Sequence, residues 1–178
     1  MLKTLAIIGV VIVVAIAGIL LYAATKPDSF RVQRVVLINA PSDKVFPLIN
    51  DIKAWTVWSP YEKKDPAMKR TFAGADNGKG AVYAWQGNSD VGEGRMEIVE
   101  ATPPSKVAIK LDFIKPLEGH NVAEFTMTPK GDATDVTWVM YGPTPFIGKV
   151  LGVFMNMDAM IGSDFEAGLA SLKAAAEK

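Results

Sequence analysis

Residues 45–60 read VFPLINDIKAWTVWSP. Apolar residues recur in the first half of this stretch at helical spacing, and Pro47 lies inside the pattern, which predicts a helix that is kinked or begins late. Trp55 and Trp58 follow three residues apart, on one face of a second short helix. Pro60 disfavours helical conformation at the residue before it, so the second helix is predicted to end there. The tryptophan pair is either a ligand contact or a structural wedge that closes a core.

One strand is predicted before this stretch and six after it. Residues 30–38 are rich in β-branched residues, and the strand ends at Ala40-Pro41-Ser42, where Ser42 is the predicted helix N-cap. After residue 66 the apolar period changes to two, which predicts an antiparallel sheet with one apolar and one solvated face. Turns rich in Gly, Asn, Asp and Pro separate the later strands. These strands are predicted at residues 68–73, 81–86, 91–102, 107–114, 120–128 and 134–141.

The last part of the chain is predicted to be helical. Residues 146–176 carry apolar side chains at spacings of three and four, with a break near Met157. Gly162 and Gly168 are predicted to let this helix approach the sheet closely or bend. Gly92 and Gly94 predict a bulge or a bend in the strand at residues 91–102. A strongly bent antiparallel sheet that grips one long helix is an α+β architecture with an apolar space between the two layers.

The segment before the first strand has a different composition. Residues 4–25 contain no charged residue and lie between Lys3 and Lys26. As a helix they would extend about 33 Å at ~1.5 Å per residue, enough to cross a hydrocarbon core of roughly 30 Å. We therefore predict a single-pass membrane anchor at residues 1–26 and a folded domain at residues 27–178.

The alternative for the apolar segment is a cleaved signal peptide, although the apolar region of such a peptide is usually shorter. Orientation is open, because positive charges lie on both sides: the N-terminal amine and Lys3 precede the segment, and Lys26, Arg31 and Arg34 follow it. A short N-terminus before a single span favours a domain on the non-cytoplasmic side. The connection to the first strand is short, so the domain is expected close to the bilayer surface.

Composition excludes several classes of function. The chain has 19 basic and 19 acidic residues, so it lacks the basic excess typical of nucleic-acid-binding proteins. It has no cysteine, which excludes disulfides, thiolate metal sites and cysteine nucleophiles. The sequence motifs of zinc proteases, P-loop proteins, dinucleotide-binding proteins and serine hydrolases are absent. The single histidine, His120, cannot form a metal site or a catalytic triad alone, and we predict neither a metal nor a cofactor.

Two side chains are weak candidates for catalysis. Asp158 is predicted on the helix face that looks into the grip, where partial desolvation would raise the pKa of its carboxyl group. Its alternative role is an N-cap for a helix that begins near Ala159. His120 is predicted at a strand start, either on the surface or as a polar group at a cavity rim. The charged residues 62–65 are predicted to form a solvated face.

Aromatic residues of the sheet and helix are the candidate lining of a pocket. Aromatic walls with few polar groups suit a flat or hydrophobic ligand, although the same side chains would also form a solid core. Trp55 and Trp58 are predicted as a lid or wedge at the rim of the sheet, with their indole N–H groups in water. Tyr83 and Trp85 share one strand face, and whether that face points inward is open. The candidate ligand-binding residues are Trp85, Phe113, Phe125, Trp138, Tyr141, Asp158 and Phe165.

The order of elements, with residues 45–51 running into residues 55–60, resembles the START-like superfamily. This helix-grip group is also called SRPBCC or polyketide cyclase/dehydrase-like. Residues 26–30 and 157–162 resemble its membrane-anchored bacterial branch. The resemblance covers roughly residues 26–175, and it implies a curved antiparallel sheet of about seven strands around a long C-terminal helix. Members of the superfamily include lipid carriers, hormone receptors and cyclases, so the resemblance implies no single activity.

Three functions are compatible with the sequence. The first is a non-enzymatic, membrane-tethered domain that binds a small hydrophobic molecule such as a lipid, a quinone or a polyketide-like compound. The second is a cyclase, dehydratase or hydrolase in which Asp158 or His120 moves protons. The third is a solid-core stress-response or protein-interaction domain. We favour the first because catalytic groups are few. The predicted partners are a bilayer, through residues 4–25, and a small hydrophobic molecule; protein partners and oligomeric state are open.

Overall fold

A curved, seven-stranded antiparallel sheet grips a long C-terminal helix in the computed structural model, which describes residues 2–178. The strand order is β1-β7-β6-β5-β4-β3-β2. The predicted α+β helix-grip fold, preceded by an apolar helix, is confirmed. In chain order the elements are α1 Leu2–Ala24, β1 Ser29–Ile38, α2 Ser42–Asn50, α3 Trp55–Trp58, α4 Pro60–Lys64, β2 Lys69–Gly74, β3 Ala81–Gln86, β4 Glu93–Thr102, β5 Lys106–Lys115, β6 Gly119–Lys130, β7 Ala133–Pro143, α5 Phe146–Phe154 and α6 Met157–Ala176.

The concave face of the sheet is apolar because side chains alternate along each strand. In β3 the buried side chains are Ala81, Tyr83 and Trp85. The strand face shared by Tyr83 and Trp85, whose direction the sequence does not determine, therefore points inward. Neighbouring strands follow the same pattern, and α6 covers the resulting apolar surface. The bulge predicted at Gly94 is confirmed by a register shift between β4 and β5 at Glu93 and Gly94.

Helix α3 ends at Trp58 with Ser59 extended, as predicted, whereas the start of α2 differs from prediction. Helix α2 contains Pro47 and begins at Ser42, with Pro41 in the capping position and no side-chain cap. The predicted N-cap role of Ser42 is wrong, because its side chain is buried and its hydroxyl lies 3.2 Å from the Thr134 hydroxyl of β7. The helix is therefore fixed by a hydrogen bond to the sheet.

Trp55 and Trp58 form a buried wedge between α2 and the sheet. Their ring centroids are 4.8 Å apart, and Trp58 is fully buried. The prediction that their indole N–H groups stay in water is wrong. The Trp58 indole donates to the Leu48 carbonyl at 2.8 Å and the Trp55 indole donates to the Ile49 carbonyl at 2.9 Å. These carbonyls belong to the last turn of α2, where no intrahelical donor is available, so the indoles close the end of that helix.

The C-terminal helical segment is broken close to the predicted position. Helix α5 ends at Phe154, and α6 begins at Met157 after an Asn156 cap whose side chain accepts a hydrogen bond from the Ala159 N–H at 3.0 Å. A Cβ at Gly168 would lie 2.7 Å from the Trp138 ring and 2.9 Å from Pro60. The predicted close approach of this helix to the sheet is therefore confirmed.

We expect Gly168→Ala to lower the free energy of unfolding by about 1–3 kcal/mol, because the added methyl group overpacks the contact with Trp138. In a helix without such a contact, alanine is more favourable than glycine by about 1 kcal/mol. A loss of stability in Gly168→Ala would therefore come from the packing contact and not from helix propensity. Gly152→Ala is the matched control, since a Cβ there meets no atom within 4 Å. Urea unfolding of both variants tests this. Equal stability of the two variants would contradict the packing described here.

Helix α1 is long and apolar enough to cross a membrane, as a signal sequence near an N-terminus would also be. Its described side chains are exposed except near its C-terminal end, where Ala23 is buried and Ile19 is partly buried. These two residues lie four apart, on one face, and helix α5 packs beside α1. The apolar helix is thus attached to the folded domain through α5.

Candidate functional site

A partly enclosed cavity of about 140 Å³ lies between the concave face of the sheet, helices α3 and α4, and α6. Its wall is mainly apolar and aromatic. Five of the predicted ligand-binding and lid residues border it: Trp55, Trp85, Phe113, Trp138 and Phe165. The core is therefore incompletely filled on the β3–β5 side.

The aromatic walls are held by ring–ring contacts. Trp138 and Phe165 stack with centroids 4.0 Å apart and planes 8° from parallel. Trp85 meets Phe113 edge to face, at 5.9 Å and 84°. The edge-to-face arrangement is favourable for aromatic quadrupoles, and both ring contacts help to hold the walls in place. The cavity accordingly has rigid flat surfaces on two sides.

One wall carries a polar group that sequence reasoning missed. The Glu62 carboxylate accepts a hydrogen bond from the Tyr83 hydroxyl at 2.7 Å and pairs with the Arg70 guanidinium at 2.7 Å. Its side chain is only 9% exposed. The predicted solvated face at residues 62–65 is therefore wrong for Glu62, and also for Asp65, whose buried carboxylate accepts the Asn88 N–H at 2.8 Å.

The spacing between Trp58 and Glu62 in the sequence indicates that Glu62 is buried. Glu62 lies four residues after the buried Trp58, so a continuous helix would have placed both on one face. Ser59-Pro60 divides the two turns, yet Glu62 still points toward β3. A charged residue on an apolar face indicates a buried pair, but the identity of its partners depends on the β2–β3 register, which local sequence does not determine.

The phenols near this wall remain protonated at neutral pH. Burial raises the pKa of Tyr83, and its hydrogen bond to Glu62 raises it further. Burial also raises the pKa of Tyr61, which borders the cavity. The cavity therefore offers neutral phenol groups, the Ser59 hydroxyl and the carboxyl groups of Glu62 and Asp90 along an otherwise apolar surface. Such a composition orients a bound molecule through few polar contacts.

Two predicted lining residues lie outside the cavity. Phe125 is fully buried and packs against Trp58 and Trp138, with centroids 5.9 Å and 4.9 Å away, so it is solid core. Tyr141 lies on the outer face of β7, because it alternates with the inward Met140. Its hydroxyl lies 3.4 Å from the Glu124 carboxylate. The predicted lining role is wrong for both.

Asp158 lies on the surface and not in the grip. Its side chain is 60% exposed and pairs with Arg34 at 3.1 Å. The predicted rise in its pKa is wrong in direction, because the hydrogen bond from the Arg34 guanidinium holds the pKa of this carboxyl below its ordinary value. The N-cap alternative is also wrong, since Asn156 caps α6. Arg34 reaches Asp158 from the edge strand β1 across Gly162, which has no side chain.

His120 is exposed on β6, away from the cavity. Its Nδ1 lies 2.7 Å from the Asp112 carboxylate and its Nε2 lies 3.4 Å from Glu118. The hydrogen bond with Asp112 raises the pKa of His120 above its ordinary value of 6.5. Within residues 2–178, no group of three or more His, Asp or Glu side chains is placed to hold a metal ion.

We expect NMR titration of the single histidine to give a pKa above 6.5 and Asp112→Asn to lower it toward 6.5. Because the folded-state pKa is raised, the pair stabilises the fold below the unfolded-state pKa, and this contribution is lost as pH rises through the folded-state pKa. Lys110→Ala, which removes the other partner of Asp112, is the control. An unchanged His120 pKa in Asp112→Asn would contradict the contact.

These features define a class of protein: a helix-grip domain with an internal, mainly apolar cavity. Residues 29–177 match the family model described as polyketide cyclase / dehydrase and lipid transport. The chain belongs to this family. No curated protein matches the chain.

Solved structures share the fold at low sequence identity. A protein from Thermobifida fusca has a TM-score of 0.61 at 20% identity, over 80% of this chain and 90% of its own. A protein from Thermus thermophilus has a TM-score of 0.60 at 18% identity, over 83% and 97%. The di-domain ARO/CYC StfQ from the steffimycin biosynthetic pathway has a TM-score of 0.62 at 13% identity, over 84% of this chain and 51% of its own.

Proposed function

We propose that the chain is a membrane-tethered, non-enzymatic binding domain for a small hydrophobic molecule. The observation that carries this proposal is the aromatic cavity of about 140 Å³. Filling such a space would stabilise the fold, because the atoms that line an empty apolar cavity lose van der Waals contacts. An unfilled cavity is therefore expected where the space serves a ligand. The description of the family, which includes lipid transport, is consistent with the proposal.

The size of the cavity restricts the ligand. Apolar cavities of about 150 Å³ hold a molecule the size of benzene, whereas sites for drug-sized ligands span roughly 300–1,000 Å³. The buried part of the ligand is therefore a single ring or a short acyl segment, and any remainder extends through the mouth. Glu62 and the phenol of Tyr61 would engage a hydroxyl or carbonyl group of that buried part. A quinone or polyketide-like ring and a lipid chain both satisfy these limits.

We propose that α1 is the anchor and that residues 27–178 form the tethered domain, on the non-cytoplasmic side. Four residues separate the end of α1 at Ala24 from the start of β1 at Ser29. They reach at most about 14 Å, so a spanning α1 would hold the domain at the bilayer surface. A hydrophobic ligand that partitions into lipid would then be concentrated beside the cavity.

A panel of hydrophobic ligands tests the proposal. We expect at least one quinone, acyl or polycyclic aromatic ligand to stabilise the purified chain by about 2.7 kcal/mol at 100 times its Kd. The measurement is chemical unfolding with and without each ligand, at constant detergent concentration. Absence of stabilisation by every member of a panel that spans these three classes would remove the support for a binding function.

A cyclase or dehydratase activity is the second candidate. The observation in its favour is the Glu62 carboxylate hydrogen-bonded to the Tyr83 phenol at the cavity wall, which places an acid–base-capable pair beside a bound molecule. StfQ, which shares the fold, is an ARO/CYC protein of a biosynthetic pathway. Incubation of a bound ligand with the chain separates the two functions: a binding domain returns it unchanged, whereas an enzyme changes its mass or isomer composition and loses that activity in Glu62→Gln.

A further inference from the structure

An exposed apolar surface lies next to the end of α1. It comprises α5 and the start of α6, residues 146–160, which we call the α5 surface. Six of its large apolar side chains are between 37% and 69% exposed. They are Phe146, Ile147, Phe154, Met155, Met157 and Met160. Single exposed apolar residues are ordinary, but a contiguous set marks a surface that contacts another apolar phase or molecule.

The α5 surface carries one exposed charged side chain, Asp158 at its far end, and this carboxylate pairs with Arg34. Residues 142–157 read GPTPFIGKVLGVFMNM and contain one ionisable side chain, Lys149. Lys149 is buried and its ammonium group pairs with the Asp28 carboxylate, in the connection between α1 and β1. The pair neutralises the cation and ties α5 to that connection. The rest of α5 is apolar or glycine.

The position at which α5 packs along α1 determines how deep α5 would lie in a bilayer that α1 spans. Helix α5 packs on the face of α1 that carries Ile19 and Ala23. Ile19 lies five residues before Ala24, about 8 Å along the helix axis at ~1.5 Å per residue. If α1 spans a bilayer, these turns lie at the boundary between headgroups and acyl chains, and apolar helices that lie in that boundary bury one face by roughly 5–10 Å.

We propose that the α5 surface inserts into the bilayer interface as a second membrane contact, continuous with α1, and that the domain is thereby held in one orientation. This inference rests on the proposed anchor role of α1. Lipid is the favoured occupant because the surface is continuous with the exposed apolar face of α1 and because its two charged side chains, Lys149 and Asp158, are each paired with an opposite charge. The docked orientation turns the end of β7, which leads directly into α5, toward the membrane.

The absence of cysteine from the chain allows a direct test. Single substitutions Ile12→Cys, Phe154→Cys and Leu37→Cys would be introduced into the full chain, labelled with an environment-sensitive fluorophore and reconstituted in phosphatidylcholine vesicles. Ile12 reports the anchor and Phe154, 69% exposed, reports the α5 surface. Leu37 is the matched exposed apolar control, eight residues along β1 from Ser29 and about 26 Å away at ~3.3 Å per residue.

We expect lipid-attached nitroxides to quench the labels at residues 12 and 154, and iodide in the water to quench the label at residue 154 about an order of magnitude less than that at residue 37. Equal iodide quenching at 154 and 37, with residue 12 in lipid, would overturn the α5 contact and leave the anchor intact. A label at residue 12 in water would overturn the anchor and, with it, this inference. A label at residue 154 shielded from both quenchers would indicate a protein contact and overturn the lipid assignment.

Discussion

Replacing Trp58 by alanine is expected to lower the free energy of unfolding by about 4–5 kcal/mol. Full burial of a tryptophan makes truncation cost about 3–5 kcal/mol through lost apolar burial and the cavity left behind. The partly buried Leu48 carbonyl also loses its indole donor, which adds to the loss by up to about 1 kcal/mol. Partial collapse of the site offsets part of the sum. The three rings around Trp58 are within 6 Å, at 4.8, 5.9 and 5.7 Å for Trp55, Phe125 and Trp138.

Urea unfolding of the full chain in detergent measures this loss, with two controls. Val57→Ala changes the exposed neighbour in the same short helix and is expected to change stability by less than about 0.5 kcal/mol. Trp58→Phe keeps an aromatic ring but removes the N–H, so its loss should be intermediate. A loss below about 1.5 kcal/mol in Trp58→Ala would contradict the wedge, since it would place this ring outside the cooperative core.

The second large effect is expected from Ala123→Phe, which should weaken binding of any ligand found by at least about 100-fold. Ala123 is buried on β6 and borders the cavity. A phenyl group is the size of the benzene molecule that a cavity of about 150 Å³ holds, so it would occupy the space of about 140 Å³. The loss corresponds to about 2.7 kcal/mol of binding free energy.

Ala84→Phe is the matched control for this experiment. Ala84 lies on β3 between the inward Tyr83 and Trp85, so its side chain points to the outer face of the sheet. Ligand titration of both variants and of the original chain, with unfolding curves for each, separates occlusion from misfolding. Wild-type affinity in a stably folded Ala123→Phe variant would place the ligand elsewhere on the protein.

The fold was predictable because its signals are local and repeated. Apolar periods of two and of three to four identify strands and helices, and all seven predicted strands overlap observed ones. The helix break near Met157 was also predictable, although its cap was not, because Asn156 and Asp158 are both acceptable capping residues. Asn156 is the cap, and Asp158 pairs with Arg34 of β1, more than a hundred residues away in sequence.

The site was less predictable because it depends on long-range register. Phe125 and Phe113 are both aromatic residues on neighbouring strands, yet the first is solid core and the second borders the cavity. The two residues differ in burial because α3 and α6 cover one part of the sheet and not the other. The local sequence pattern does not predict which part these helices cover. The burial of Glu62 has a local signal in its spacing from Trp58, but its partners Arg70 and Tyr83 come from strands β2 and β3, and only the register of the sheet identifies them.

Native mass spectrometry of the full chain, released from detergent micelles and followed by organic extraction, tests the central proposal most directly. We predict one small hydrophobic adduct per chain in the original protein and in Ala84→Phe, and its loss in Ala123→Phe. Extraction would then identify the class of the ligand. Equal adduct in all three proteins would show that the molecule is bound outside the cavity, and an adduct-free original chain that also fails the ligand panel would contradict a binding function.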